Sequence, residues 1–352
     1  MQKIPSVVRL ISMCLILMAV SLQSNAKETY KISWTIYAGT MPLGYAQHQG
    51  ILKRWGDKYG FNLEAVQLND YMEAQTQFTA GQHAGTVAIT LDALTIPASS
   101  GVDTSVVVPL STSVGSDGIV IRGKGKKIAD LKGKSISLVE LSGSHYLLVR
   151  ALESIGLSEK DVKIINTSDS DIGAIFGHKS TQVVATWKPQ LSAILKQYPD
   201  SSLVFDSSNI RGEIVDGLIV KTATLKKEPN LGKAIAGAWF ETVAMLSPSH
   251  PNHKKFIEYM AEELNTTDAD IESQLSTIEF FTPKTGLDYI TSEAFKTKMK
   301  QISSFAFAHG LLGDKATSAT YIGIEAGDGK VIGDGKNVNL RFPSEWIKGV
   351  TQ

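Results

Sequence analysis

Acidic and aromatic residues follow several short apolar stretches that the sequence predicts to be β-strands. In open α/β sheets a ligand binds beyond the carboxyl ends of the strands, where the backbone turns into a helix. Carboxylates at these ends supply paired hydrogen-bond acceptors, and aromatic faces attract positive charge. Because Lys188 is the one basic residue at these positions, we predict a cleft that binds a small cation. The candidate ligand-binding residues at the predicted strand ends, and where two halves of the chain should join, are Tyr37, Asp70, Asp92, Asp117, Glu140, Ser142, His145, Trp187 and Asp216, with Tyr71 beside Asp70.

Most of these residues also have a purely structural interpretation. Asp70 and Glu73 have the spacing of a helix capping box, and Asp92 would cap a short helix. Trp187 precedes a proline that opens a predicted helix, and a large aromatic side chain usually serves packing. His145 lies one turn into an amphipathic helix, where a histidine is more often a hydrogen-bonded structural residue.

Glu140 and Asp216 are the strongest candidates. Both adjoin strongly apolar strands, where an unpaired carboxylate is costly unless a positive group reaches it. One feature favours a ligand of the opposite charge. The helix predicted to begin at residues 142–144 directs the positive end of its dipole into the same region, which suits an anion. The sequence therefore favours a cation without excluding an anion.

The sequence contains no convincing motif for catalysis, for a cofactor or for a metal. Residues 133–135 lack the upstream glycine of a phosphate-binding loop. His250 and His253 flank Pro251 in a polar stretch without further ligands at metal spacing. We therefore expect no cofactor and no metal site, and we expect binding rather than catalysis.

The chain has 352 residues, of which 43% are apolar and 20% are charged, a composition typical of folded globular proteins. A chain of this length usually divides into domains, so we expect two. Thirty-five basic residues balance thirty-five acidic ones, which leaves no net positive field to hold a nucleic acid. We therefore expect no nucleic-acid partner.

Residues 1–26 have the pattern of a secretory signal peptide. Lys3 and Arg9 form a basic start, an apolar stretch follows, and Ser24 and Ala26 are small residues at the two positions that a signal peptidase reads. The only cysteine, Cys14, lies in this segment. We expect export to a bacterial periplasm and cleavage to a cysteine-free chain that cannot use thiol chemistry.

Short β-rich runs alternate with helical patterns in the first two thirds of the chain, which predicts an α/β fold with parallel strands. The strands form two successive series, and the tail is mainly helical with turns in residues 321–342. The predicted strands are residues 31–37, 62–68, 86–90 and 105–108, then 119–121, 135–139, 162–165, 182–186, 203–205 and 218–220. The predicted tail helices are residues 230–246, 253–264, 268–275 and 291–308.

Several longer motifs resemble those of the solute-binding proteins of ABC importers in the nitrate, taurine, alkanesulfonate and thiamine-precursor group. The resemblance covers essentially the whole chain after residue 26 and is greatest to the branch found beside urea carboxylase genes. The motifs are specific together rather than singly. They are residues 34–42 (WTIYAGTMP), 67–71 (QLNDY), 90–94 (TLDAL), 116–118 (SDG), 139–146 (VELSGSHY), 185–190 (ATWKPQ), 213–216 (EIVD) and 309–313 (HGLLG).

This resemblance implies a type II periplasmic-binding-protein fold, which has two lobes, a double-crossover hinge and a ligand cleft between the lobes. Lobe 1 would comprise residues 27–116 and 221–352, and lobe 2 residues 117–220. It also implies a monomer that closes around a small-molecule solute and delivers it to an ABC permease in the inner membrane. Such a protein is a carrier and not an enzyme.

The resemblance also bears on the ligand. In related taurine binders the segment equivalent to residues 142–145 faces the sulfonate, and an aspartate that matches Asp216 faces the amine. The acids at Asp92, Asp117 and Glu140 disfavour a sulfonate or nitrate, and the resemblance to the urea-carboxylase branch implies guanidinium or urea instead. The flat guanidinium ion would stack on Trp187 or Trp34, whereas uncharged urea would justify fewer acids. Taurine, a sulfonate, nitrate or a thiamine precursor are alternative ligands. An enzyme similar to the thiamine-pyrimidine synthases is a further alternative, which the export signal and the lack of cysteines beyond Cys14 disfavour.

Overall fold

The computed structural model describes residues 27–350, and the predicted signal peptide with Cys14 lies outside this range. The described chain forms two β-sheets joined and flanked by helices. We call the part built on the nine-stranded sheet lobe 1 and the part built on the five-stranded sheet lobe 2. Between residues 27 and 350, no helix has both the length and the apolar character needed to cross a membrane.

The strands follow the alternating pattern that the sequence predicts. Each predicted strand is confirmed, with ends that differ by a few residues. In chain order they are β1 (Thr29–Thr35), β2 (Asn62–Leu68), β3 (Gly85–Ile89), β4 (Thr104–Ser113), β5 (Asp117–Ile121), β6 (Ser135–Leu138), β7 (Lys163–Asn166), β8 (Val183–Trp187), β9 (Ser202–Asp206), β10 (Val215–Lys221), β11 (Ile278–Phe280), β12 (Gly323–Glu325), β13 (Val331–Ile332) and β14 (Val338–Arg341).

The helices connect these strands and form most of the tail. The four predicted tail helices are confirmed. In chain order the helices are α1 (Met41–His48), α2 (Ile51–Tyr59), α3 (Tyr71–Ala80), α4 (Thr90–Ala93), α5 (Gly143–Glu153), α6 (Ile172–Gly177), α7 (Gln190–Gln197), α8 (Thr222–Lys227), α9 (Pro229–Ala244), α10 (His253–Glu263), α11 (Asp268–Leu275), α12 (Pro283–Thr291), α13 (Glu293–Ala308) and α14 (Glu345–Lys348), with a π-helical turn at Leu94–Ala98 and 3₁₀ turns at Ile128–Leu131, Glu159–Asp161 and Ser207–Ile210.

Both sheets are mixed. In lobe 1 the strand order is β13-β12-β14-β4-β10-β3-β1-β2, and β11 pairs with the end of β4. The first three strands of the chain run parallel, whereas β10 runs antiparallel to its neighbours β3 and β4. In lobe 2 the order is β7-β6-β8-β5-β9, with β5 antiparallel to β8 and β9. Every residue of β4 and of β5 is buried, so the core of each lobe surrounds its central strands.

The helix α5 shows how the sequence pattern produces packing. Ser142 caps its N-terminus by accepting a hydrogen bond from the Ser144 amide. The four apolar residues at helical spacing, Leu147, Leu148, Ala151 and Leu152, are completely buried. Ile155 continues the spacing but lies beyond the end of the helix, where its side chain is 36% exposed.

The chain crosses between the lobes twice. Residues 114–116 connect β4 with β5, and residues 207–214 connect β9 with β10. Because β10 pairs with β3 and β4, it belongs to lobe 1. Lobe 2 therefore ends near Asp206 rather than at the predicted residue 220. The apolar pattern of residues 218–220 predicts a strand but does not indicate which sheet that strand joins.

Candidate functional site

A cavity of about 50 Å³ lies between the two lobes. It is surrounded by strand ends and helix starts, which is the arrangement expected of ligand sites in α/β sheets. Both lobes contribute to its walls. The residues that line it are Thr35, Tyr37, Thr40, Tyr71, Val87, Ile89, Asp92, Asp117, Ser142, Gly143, Trp187, Ile214 and Asp216.

Strand pairing brings three carboxyl groups to this cavity. On β10, Asp216 is paired with Ser111 of β4 and with the last residue of β3. The chain then passes from β3 into α4, which carries Asp92. In lobe 2, Asp117 begins β5 and is paired with Trp187 at the end of β8. The two sheets thus meet with their acidic strand ends facing one cavity.

Asp92 is completely buried on the lobe 1 side of the cavity. The Tyr71 hydroxyl donates a 2.7 Å hydrogen bond to its Oδ2, and the Ile89 amide donates to the same hydroxyl. The other carboxyl oxygen, Oδ1, has no hydrogen-bond partner. Burial raises the pKa of Asp92 to about 7, and the charge of Asp216 adds to this effect while the bond from Tyr71 opposes it. Asp92 therefore has an acceptor to offer to a ligand.

Asp117 and Asp216 are also buried, at 6% and 7% exposure. The Ser113 hydroxyl donates to Oδ2 of Asp117 at 2.5 Å, and the Ser111 hydroxyl donates to Oδ2 of Asp216 at 3.0 Å. Burial raises the pKa of Asp117 to about 6. Burial and then the charge of Asp117 raise the pKa of Asp216 to about 7. Each carboxyl group thus has one supporting hydroxyl but no cationic partner of its own.

Three aromatic residues form flat walls around these carboxyl groups. The Tyr71 ring meets the Trp187 ring edge to face, with 5.9 Å between centroids, and so joins the two lobes. Tyr37 is buried, and among residues 27–350 no group meets the geometric requirements of a hydrogen bond to its hydroxyl. Burial raises the pKa of Tyr37 well above its usual range, so the hydroxyl keeps its proton and can donate to a ligand.

The N-terminus of α5 forms another part of the wall. The Ser142 hydroxyl donates to the Val139 carbonyl at 2.7 Å and accepts from the Ser144 amide at 3.2 Å. A Cβ atom at Gly143 would lie 3.1 Å from Cδ1 of Ile89 in lobe 1. Glycine at this position therefore allows the helix terminus to approach the opposite lobe.

The ionisable groups with charge near neutral pH that line the cavity, in the described part of the chain, are all carboxyl groups. Among the residues that the structure describes, no lysine, arginine or histidine lines the cavity. Lys188, the basic residue expected nearby, instead donates from its ammonium group to Oγ1 of Thr277 at 3.1 Å. Buried carboxylates without a cationic partner are costly when ionised. The site thus favours neutral aspartates unless a cation binds and offsets their charge.

The comparison with known proteins places the chain in a family. A family profile described as NMT1/THI5 like matches residues 58–239, a span of 182 residues in a chain of 352. The chain belongs to the NMT1/THI5-like family. No curated protein matches this NMT1/THI5-like chain with significance.

Solved structures identify the fold of this NMT1/THI5-like protein. The alkanesulfonate-binding protein SsuA from Xanthomonas axonopodis pv. citri, bound to MOPS, matches with a TM-score of 0.69 and 17% identity over 83% of this chain and 96% of that one. The periplasmic aliphatic sulphonate-binding protein SsuA from Escherichia coli matches with 0.65 and 18% over 81% and 88%. The periplasmic nitrate-binding protein NrtA from Synechocystis PCC 6803 matches with 0.62 and 12% over 83% and 84%. The predicted two-lobed periplasmic-binding-protein fold is therefore confirmed.

The structure brings six of the ten predicted ligand-binding residues to the cavity. All six stand at strand ends or at the N-terminus of α5, which are the positions from which they were predicted. They are Tyr37, Asp92, Asp117, Ser142, Trp187 and Asp216.

Trp34 and Glu140 do not line the cavity. Trp34 is buried within lobe 1, where its ring packs so closely on α1 that a Cβ atom at Gly44 would lie 2.6 Å from it. Glu140 follows the end of β6 on an exposed loop, and its backbone amide donates to Oδ1 of Asn166 at 3.0 Å. The apolar strand ends at Leu138, two residues earlier, so the carboxyl group of Glu140 remains in water. Its position next to an apolar strand therefore does not make Glu140 a buried carboxylate.

Asp70 and His145 also lie away from the cavity. Oδ1 of Asp70 accepts a 2.8 Å hydrogen bond from the Glu73 amide and so caps α3. The side chain of Glu73 does not complete a capping box, because it accepts from Gln77 instead. His145 is buried beside Glu159, which accepts a hydrogen bond from it. Asp70 thus caps a helix, and His145 is a buried, hydrogen-bonded histidine.

The capping role of Asp70 leads to a prediction. Replacing Asp70 with alanine should lower the free energy of unfolding by about 1 kcal/mol, because the Glu73 amide loses its acceptor. The affinity for the solute should change little, since Asp70 does not line the cavity and its hydrogen bond from Ser168 of lobe 2 is long, at 3.4 Å. Thermal denaturation and calorimetry of the same sample measure both quantities. A large loss of affinity with unchanged stability would instead show that Asp70 contacts the solute.

Tyr71, which the sequence places beside Asp70 at the end of β2, also lines the cavity. The other lining residues are mainly apolar or small. Nothing in the sequence distinguishes the others from ordinary core residues, because their place in the wall depends on how the lobes meet. They are Thr35, Thr40, Val87, Ile89, Gly143 and Ile214.

Proposed function

We propose that this NMT1/THI5-like protein is the solute-binding component of an ABC importer and that its solute is guanidinium. The observation that carries the proposal is the cavity lining, which holds three buried carboxyl groups and, in the described chain, no basic side chain. A cationic solute would supply the missing positive charge. Urea is neutral and would gain no charge pairing from these aspartates.

The size of the cavity supports a very small solute. A cavity of about 50 Å³ is small for a ligand site. Guanidinium has four non-hydrogen atoms, whereas taurine has seven. The small volume of the cavity favours guanidinium over larger amines and sulfonates for this arrangement of the lobes.

The chemistry of the walls suits a planar ion with many donors. Guanidinium carries six N–H groups, and carboxylates accept pairs of them in the geometry familiar from arginine. Oδ1 of Asp92 has no hydrogen-bond partner in the part of the chain that the structure describes, and it is the first acceptor that we assign to the ion. Trp187 offers an aromatic face for the flat cation. The two lobes would therefore bind the same ion from opposite sides.

Lobe closure around the solute is the mechanism that we propose for transport. A solute that contacts both lobes favours the closed arrangement over the open one, and a membrane permease can distinguish the two. The solute itself undergoes no reaction, so the protein acts as a carrier and not as an enzyme. The signal-peptide pattern of residues 1–26 and the two periplasmic relatives support a periplasmic location. A place in the urea-carboxylase-associated branch is part of the same proposal.

A zwitterion such as taurine is the second candidate, and one observation favours it. The N-terminus of α5 contributes Ser142 and Gly143 to the wall, and such a helix end attracts anionic groups. The sulfonate- and nitrate-binding proteins that share the fold also take anions. A sulfonate would then lie at α5 and an amine at Asp216.

Calorimetry with a panel of solutes tests the proposal. We expect heat from guanidinium and little or none from urea, taurine or nitrate, with agmatine as a larger cation that tests the size limit. At a ceiling of about 1.5 kcal/mol per non-hydrogen atom, guanidinium can gain about 6 kcal/mol, which corresponds to a Kd of some tens of micromolar. Sodium chloride at equal concentration serves as the control. Binding of the anions alone would refute the cation assignment.

A further inference from the structure

A cluster of three ionisable side chains joins the lobes outside the cavity. His145 lies on α5 and Glu159 in the following 3₁₀ turn, both in lobe 2. His309 follows α13, which packs against α4 and β13 of lobe 1. Nε2 of His145 lies 2.6 Å from Oε1 of Glu159, and Nε2 of His309 contacts Oε2 of the same carboxyl group. We call these three residues the histidine–glutamate relay.

The hydrogen bonds of the relay fix the protons on each ring. The two histidines lower the pKa of Glu159 even though its partial burial acts to raise it, so the carboxylate is ionised and can only accept. His145 must then donate from Nε2, because its Nδ1 accepts from the Leu141 amide at 3.0 Å. Both ring nitrogens of His309 face oxygen acceptors, because Nδ1 lies 2.8 Å from the Phe305 carbonyl oxygen and Nε2 contacts the Glu159 carboxylate.

The relay ends at an unusual backbone turn. Leu141 has φ of +65°, a left-handed conformation that leucine rarely adopts. Such a conformation persists only where surrounding contacts enforce it. The hydrogen bond from the Leu141 amide to His145 is such a contact, and the next two residues, Ser142 and Gly143, line the cavity. The relay therefore acts on the cavity wall through the backbone.

We propose that Glu159 is a positioning residue for solute binding. Through His145 it holds the turn at Leu141 that presents the N-terminus of α5 to the cavity, and through His309 it ties that turn to lobe 1. This inference rests on the proposed function, because it concerns the same cavity. Glu159 does not touch the solute, so its effect is on the shape of the wall and on the closed arrangement of the lobes.

The same three side chains could in principle hold a metal ion, since their ligand atoms lie within 4.8 Å of one another. The direction of the hydrogen bonds opposes this reading. A metal ion at Nε2 of His145 requires the ring proton to be on Nδ1, where the Leu141 amide also donates. Metal-binding histidines normally donate from the second nitrogen to an acceptor. The orientation of His145 thus favours a hydrogen-bonded relay.

Exchanging Glu159 for glutamine tests the inference. Glu159→Gln keeps the shape of the side chain but removes the negative charge that accepts hydrogen bonds from both His145 and His309. Loss of a charge-assisted hydrogen bond should weaken guanidinium binding at least about tenfold. It should also speed hydrogen exchange of the Leu141 amide in the ligand-free protein, a readout that does not depend on any solute. His309→Ala removes the bond from lobe 1 to Glu159, together with the ring contacts of His309 with His145 and Phe305, and should weaken binding in the same direction.

A matched control exists in the tail of lobe 1. Glu272 accepts a 3.0 Å hydrogen bond from His253 far along the chain from the cavity, so Glu272→Gln should change neither affinity nor exchange at Leu141. The inference would be overturned if Glu159→Gln changed neither the guanidinium affinity nor the hydrogen exchange of the Leu141 amide. It would also be overturned if the protein bound Co²⁺ stoichiometrically and Glu159→Gln abolished that binding. Faster exchange at Leu141 in a protein that does not bind guanidinium would support the relay and refute only the proposed solute.

Discussion

Replacing Asp92 with asparagine is expected to abolish detectable guanidinium binding and, at pH 8, to raise the melting temperature of the ligand-free protein. Asparagine has the same shape and can still accept from Tyr71, but it lacks the charge that a cation needs. The ligand-free protein gains stability because Asp92 is completely buried, and burial raises its pKa to about 7. At pH 8 the native state therefore carries an ionised carboxylate that the unfolded state solvates better.

The size of both effects follows from the same pKa shift. Each unit of pKa shift corresponds to about 1.4 kcal/mol, so removing the charge should stabilise the ligand-free protein by a few kcal/mol. A gain of this order raises the melting temperature by roughly 5 °C. Calorimetry and thermal denaturation at pH 8 measure the two quantities, and Asp314→Asn, at an exposed position, serves as the control. Full affinity in Asp92→Asn would show that the cavity is not the solute site.

Guanidinium affinity is expected to rise at least about tenfold between pH 5.5 and pH 7.5, with release of about one proton or more for each ion bound. The reason is that burial raises the pKa of Asp92 and of Asp216 to about 7 and that of Asp117 to about 6. Below these values the aspartates hold protons that a cation must displace. Calorimetry at pH 6.5 in buffers of different ionisation enthalpy measures the protons released.

The stability of the ligand-free protein should follow the opposite trend. The folded-state pKa values of these aspartates lie above the ordinary value of 3.8, so the native state holds protons that the unfolded state has lost. The protonated aspartates contribute fully to the stability of the folded protein below about pH 4. This contribution is lost as the pH rises through 6 to 7. Saturating guanidinium should cancel this loss. A pH-independent affinity would favour urea, and an affinity that falls with pH would favour an anion.

The sequence predicts the strands and tail helices well because their signals are local. Asn62–Leu68 and Asp268–Leu275 were predicted to the residue, since turn-forming residues and caps bound them. The sheet to which β10 belongs could not be predicted, because strand pairing joins residues far apart in the chain. Its partners β3 and β4 precede it by about a hundred residues or more. This one assignment moves the boundary of lobe 2 from residue 220 to near 206.

The acidic part of the cavity was predictable because it follows from strand ends. Asp92, Asp117 and Asp216 each adjoin an apolar strand, and the structure brings all three to the cavity. Glu140 has the same sequence context, yet a backbone turn after β6 leaves it exposed. The contacts of Glu159 show the same limit, because it bonds to His145 in its own lobe and also to His309 in the other lobe. Local patterns do not encode such contacts.

Lobe 2 is a single continuous stretch whose two ends are neighbours, since Gly118 at its beginning is paired with Asp206 at its end. A segment that leaves and rejoins its host at one place can be exchanged as a block, because the host sheet keeps all of its own strand pairs. Such an exchange would retain Asp92 and Asp216 and replace Trp187, Asp117 and the start of α5. Exchange of this one block would therefore rebuild one wall of the cavity while two of its three carboxyl groups stay in place on the other wall.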